Sequence, residues 1–111
     1  MSGYIYLASP YSHPDPAVRQ ERYERACAAA GRLMLGGDIV FSPIAHSHPI
    51  EQIGLKGVIQ SGAFWQRQDM PLLRYASSVA VLQLPGWQES HGVTFEIRMA
   101  RALNIPVRYI D

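Results

Sequence analysis

Cysteine is nearly missing from this chain. Cys27 stands alone, which excludes an internal disulfide and most thiolate metal centres, and in its Ala-rich helical surroundings it reads as a small core residue. Charge is also scarce: 17% of residues are charged and the formal net charge is +1. So balanced a chain offers no broad basic surface to a nucleic-acid polymer or an anionic membrane, although a small anionic ligand stays open. No apolar run approaches the ~18 residues of a membrane span. The first residues lack the basic, apolar and small-residue order of a secretory signal, so the expected compartment is a reducing cytoplasm. Internal repeats, low-complexity tracts and linkers are missing as well. What remains is 111 residues of which 48% are apolar, enough for one domain over 1–111 with a real core and too few for two.

Punctuation divides the chain into alternating strands and helices. Residues 4–8 form a short aromatic and branched strand, stopped by the turn formers of Ser9, Pro10, Ser12 and Pro14. Asp15 followed by Pro16 starts a long helix that Gly36 and Gly37 end, with Arg19 and Arg22 among the charges on its solvated side. A second strand over 38–42 enters a long loop from Pro43 through His46, His48 and Gly57, and loops of this length in a small domain are often functional. Helix is expected over 61–68, anchored by Phe64 and Trp65, with Asp69, Met70 and Pro71 bending or restarting it. The nearly all-apolar run 78–84 reads as a central parallel strand covered on both faces. A last helix and an edge strand over 106–110 complete an α/β pattern of four strands, in the order 2-1-3-4 with right-handed crossovers. The first and third strands are then neighbours whose crossovers leave to opposite faces. Ligands bind at such a switch point, beyond the C-terminal strand ends. Tyr6, Ser9 and the segment from Gly86 to Glu96 thereby meet in one crevice.

The last helix carries the most pointed chemistry. Ser90 is its N-cap, and it runs to about Leu103 before Asn104 and Pro106 stop it. Val93, Ile97, Ala100 and Leu103 make one apolar arc, and Glu96 falls inside that arc. An unpaired carboxylate there costs several kcal/mol, so Glu96 must reach a partner or open onto a cavity. Helical side chains lean toward the N-terminus, which carries Glu96 over Gly92, where no side chain blocks it. Two readings stand, a structural ion-pair partner or a carboxylate facing a ligand held at free backbone N–H groups. Asp69 likewise reads either as the cap of a helix restarting at Pro71 or as a second functional carboxylate. Trp87 either stacks on a planar ligand or caps the core. His46 and His48 alternate like a ligand pair, but no third ligand stands at a convincing spacing, so neither metal nor cofactor is expected.

Several of these residues carry a resemblance. The strand-one run Tyr6-Leu7-Ala8-Ser9-Pro10, Asp69 ahead of the third strand, and the Gly86-Trp87-x-x-Ser90-x-Gly92-x-x-x-Glu96-x-x-x-Ala100 element resemble the nucleoside 2-deoxyribosyltransferase superfamily, including its nucleotide N-glycoside hydrolase branch. More narrowly, Tyr-Leu-Ala-Ser-Pro-Tyr-Ser-His-Pro and Ser-Pro-Ile-Ala-His-Ser-His-Pro are similar to runs in a small bacterial and phage family. The resemblance implies a flavodoxin-like (Rossmann-like) parallel sheet of four to five strands flanked by helices. It also implies cleavage or transfer at the N-glycosidic bond of a nucleoside or nucleoside 5′-monophosphate. In that chemistry Glu96 attacks the anomeric carbon, Tyr6 holds its carboxylate and Asp69 handles the base and its proton. Ser9, Ser12, Trp87, Ser90, His91 and Gly92 become the candidate substrate contacts, and a homo-oligomer, dimer or tetramer, is implied. A non-catalytic module of the same fold that binds a nucleotide derivative is the competing class.

Overall fold

The computed structural model describes residues 3–111. Four parallel strands, β1 (Ile5–Ala8), β2 (Val40–Phe41), β3 (Ser78–Leu82) and β4 (Val107–Ile110), lie in the order β2-β1-β3-β4. Helices α1 (Pro16–Leu35), α2 (Pro43–Pro49), α3 (Gly62–Arg74) and α4 (His91–Ala102) connect them, with a π-helical stretch, Ile50–Gly54, continuing α2. The expected flavodoxin-like sheet and strand order are therefore present.

Alternation along the central strands builds two cores. Tyr6, Ala8, Val79 and Val81 face Leu73 at the end of α3, Ala76 just beyond it, and Val93 and Ala100 of α4. Ile5, Leu7, Ala80 and Leu82 face the other way, onto Ala29 and Ala30 of α1. Such double-sided burial, at ~1.5–3 kcal/mol per large apolar side chain, fixes the register Tyr6↔Val79 and Leu7↔Ala80 at the centre of the sheet. The alanines of α1 keep that helix close to its face of the sheet. Asp15 caps α1 through Ala17 N at 2.9 Å, and Gly37 takes φ 103° just beyond its end. With α1 on one face and α4 on the other, the crossovers part between β1 and β3.

Local expectations fail at two places. The long loop from Pro43 is helical instead, because Ser42 accepts from Ala45 N at 3.1 Å and Pro43 occupies the first helical turn. Neither does α3 restart at Pro71. It runs through the proline, because the buried Leu73 in its last turn gains more from the core than the missing N–H of Pro71 costs locally. Asp69 consequently sits inside the helix and caps nothing. No helix among the described residues is long and apolar enough to cross a membrane.

Candidate functional site

Tyr6 is fully buried on β1, and its hydroxyl donates a short hydrogen bond to Glu96 Oε2. Glu96 projects from the second turn of α4, where Ser90 Oγ caps the helix through Val93 N at 3.2 Å. A side chain at Gly92 would meet nothing nearer than Ser90 Oγ at 3.9 Å, so the space over which Glu96 leans is free. Asp69 approaches from α3, its Oδ1 buried and without a hydrogen-bond partner. Burial pushes the Glu96 carboxyl up to about 8; the neighbouring Asp69 pushes the same way, and the Tyr6 hydrogen bond opposes them. Burial alone raises Asp69 to about 6. The Tyr6 hydroxyl is held protonated by burial first and then by the Glu96 and Asp69 charges. Groups from three separated stretches thus meet, and Asp69 acts on the protonation of both Glu96 and Tyr6.

They sit at the floor of a crevice of about 710 Å³ at the switch point, within the range of small-molecule sites. Ser9, Ser12, Ser90, His91 and Gly92 all line it. Ser9 is 6% exposed and its Oγ has no partner, leaving a buried donor turned toward whatever fills the space. Trp87 stands apart: its ring lies 5.6 Å from that of Tyr109 and packs on the α3/α4 core, outside the crevice lining, so it takes the core-capping role of its two readings. Arg19 and Arg22, expected on a solvated face, instead line the crevice. The Arg22 guanidinium donates to Ser12 O at 3.0 Å and to Pro85 O at 3.1 Å, joining the loops after β1 and β3. It passes so close to Gly86, which has φ 90°, that a Cβ there would lie 2.7 Å from Arg22 Nη2.

A further polar web escaped the sequence. Tyr11 Oη lies 2.7 Å from His48 Nδ1 and 3.2 Å from Glu51 Oε1, while His48 Nε2 contacts the Gln20 side-chain amide at 3.0 Å. Tyr23 stacks on the imidazole with ring centres 4.2 Å apart. Burial holds His48 below its usual range and Tyr11 is pushed up to about 12, by burial first and then by Glu51. The signal was available in the spacing: a helical reading of 43–54 puts His48 and Glu51 three residues apart on one face. His46 is exposed and packs against Phe41. No group of three or more His, Cys, Asp or Glu side chains is arranged to hold a metal among the described residues.

The model of a family described as Domain of unknown function (DUF1937) matches residues 3–111. The chain belongs to this family. Among solved structures, a 2-deoxyribosyltransferase from the psychrotolerant bacterium Bacillus psychrosaccharolyticus shares the fold of this DUF1937 chain with a TM-score of 0.64 and 22% identity, covering 96% of this chain and 70% of that one. No curated protein matches it in sequence. At that identity the likeness speaks for the DUF1937 fold, and the chemistry of the crevice has to be argued from its own residues.

Proposed function

We propose that this protein cleaves the N-glycosidic bond of a deoxynucleoside or deoxynucleoside 5′-monophosphate and passes the sugar to water or to another base. One observation carries the reading: a half-buried carboxylate held by a tyrosine, with a second half-buried carboxyl acting on it, at the floor of a nucleotide-sized crevice. The 2-deoxyribosyltransferase fold neighbour agrees with it. In the first step an ionised Glu96 oxygen bonds to the anomeric carbon as the C–N bond breaks, and the bonding pair stays on the base nitrogen. That nitrogen takes the proton of a neutral Asp69 carboxyl. Water or an incoming base then attacks the same carbon, the ester bond to Glu96 breaks, and Asp69 recovers a proton from the attacking group. Tyr6 fixes the Glu96 rotamer by donating to its other oxygen, and the buried setting strengthens the carboxylate's attraction for an oxocarbenium-like sugar.

Charge orients the substrate. The Ser9 and Ser12 hydroxyls and the α4 amides of His91 and Gly92, which follow the neighbouring strands β1 and β3, line the crevice together with Arg22, and a helix N-terminus favours an anion by ~0.3–2 kcal/mol. A 5′-phosphate belongs there, which leaves the base toward Asp69 and α2. Purified protein incubated with deoxynucleosides and their 5′-monophosphates, followed by chromatography for free base, tests both parts. Free base from the monophosphates in preference, with the preference reduced by Ser90→Ala, is expected. Binding without any base release across the panel would replace catalysis with a binding module.

A further inference from the structure

Glu51 is 3% exposed yet lines the crevice. Among the described residues no Arg or Lys forms an ion pair with it. Among the described residues Tyr11 is the one hydrogen-bond partner of its side chain, and Tyr11 is itself tied to His48. Proton counting gives this web a direction. Were the Gln20 oxygen to accept from His48 Nε2, a neutral His48 would have Nδ1 as an acceptor, and the single Tyr11 hydrogen would have to serve both His48 and Glu51. The atom placed against Nε2 is Gln20 Oε1; with Glu51 taken as a carboxylate, turning that amide so that its NH2 donates to Nε2 satisfies every contact, since Nδ1–H then donates to Tyr11 and Tyr11 donates to Glu51. Glu51 then carries only acceptor lone pairs, and the oxygen that Tyr11 does not hold is free for the crevice.

We propose that Glu51 is a base-specificity residue that selects nucleobases carrying an exocyclic amino group. The proposal rests on the N-glycoside reading, which puts the sugar at Glu96. The strand order sets the direction. The turn after β3 and the α4 N-terminus lie to one side of β1, while α2 and its π-helical continuation, which carries Glu51, follow β2 on the other. An anionic end of the ligand is drawn to the α4 N-terminus and Arg22, while on the other side Arg19 beside Tyr11 is offset by the Glu51 charge, so the base occupies the Glu51 side. There a carboxylate accepts from the exocyclic amino group of cytosine or adenine. The carbonyl of uracil, thymine or hypoxanthine at the same position sets lone pairs against a buried anion, and a buried polar mismatch of this kind discriminates about 10- to 100-fold.

The test compares matched pairs that differ only in that group: deoxycytidine with deoxyuridine, and deoxyadenosine with deoxyinosine, each as nucleoside and as 5′-monophosphate. Base release by wild-type protein and by Glu51→Gln is read as kcat/KM, and binding of the same ligands to Glu96→Gln protein is read by calorimetry. The amino member of each pair should be favoured at least about 10-fold, and Glu51→Gln, whose amide both donates and accepts, should bring the pair within about 3-fold. Equal treatment of both members, a preference for the oxo member, or a ratio that Glu51→Gln leaves unchanged overturns the assignment. Amino preference in binding without turnover from any ligand supports Glu51 while removing the N-glycoside reading. An absence of both binding and turnover removes the two together. A Glu51→Gln protein that fails to fold shifts the decision to the calorimetric ratio on Glu96→Gln protein.

Discussion

Replacing Glu96 by glutamine should separate catalysis from folding, because the two respond in opposite directions. The amide keeps the shape of the carboxyl and still accepts from the Tyr6 hydroxyl, but it never ionises. In the folded protein the carboxyl rises from 4.5 to about 8, so the native state holds this proton more tightly than the unfolded chain. Stability from this group is therefore highest below about pH 4.5, falls as pH rises toward 8, and is level above it. Every tenfold gain in proton affinity is worth about 1.4 kcal/mol, which sets an upper limit of about 5 kcal/mol, and water entering the open crevice reduces this to about 2 or 3. Asp69 loses its own contribution at lower pH, having risen from 3.8 to about 6, and His48, lowered from 6.5 by burial, acts with the opposite sign below that value. The clean window is consequently pH 6.5 to 9. Thermal melts across it should show wild-type protein losing stability and Glu96→Gln holding level, ending roughly 10 °C more stable at pH 9. Base release by the variant should fall at least ~10³-fold. Parallel melting curves for the two proteins, or a variant less stable at every pH, would refute the reasoning and return Glu96 to the role of a structural partner.

Two further outcomes concern the same site and a third concerns the surface. With Glu96 near 8 and Asp69 near 6, the productive form needs each in its minority state, on the order of 1% of molecules at pH 7; kcat/KM should trace a bell centred near pH 7, and a flat profile from pH 5 to 9 contradicts the assignment. Asp69→Asn should suppress turnover of ordinary bases by about 10²-fold or more while sparing activated leaving groups, and it should leave a single limb rising with pH; equal losses on both substrate types reassign Asp69 to positioning. Ile53, Val58 and Ile59 are 79%, 60% and 64% exposed within a few residues of one another, an apolar patch that self-association would cover. Light scattering at micromolar concentration should give at least twice the monomer mass, and a monomer would count against it.

Much of this architecture was legible because it rests on short-range signals. The nearly all-apolar run 78–84 predicts a strand covered on both faces, and the Gly pair at 36 and 37 ends the first helix where expected. Glu96 stood out because a carboxylate interrupts an apolar arc, and Gly92 four residues earlier marked the opening above it. What was not legible depended on distant packing. Whether α3 breaks at Pro71 is decided by the core that Leu73 enters, which no local spacing reveals. Arg19 and Arg22 sit on a helix whose polar side looks solvated until the loop after β3 folds over it. The side that Trp87 chooses depends on the turn at Gly86, whose φ of 90° redirects the chain immediately before it.

Arg22 spans the mouth of the crevice as a ruler does. One planar guanidinium touches Ser12 O and Pro85 O at once, so the gap between two loops that are distant in sequence equals the span of a single side chain. Lysine brings one nitrogen to the same place and lacks the planar fork that addresses both carbonyls in fixed geometry. Gly86 keeps the ruler seated, because even a methyl group there would fall 2.7 Å from the guanidinium. Entrance width in this protein is thus a property of two residues from opposite walls, Arg22 and Gly86, and can vary without any change to the carboxylates at the floor.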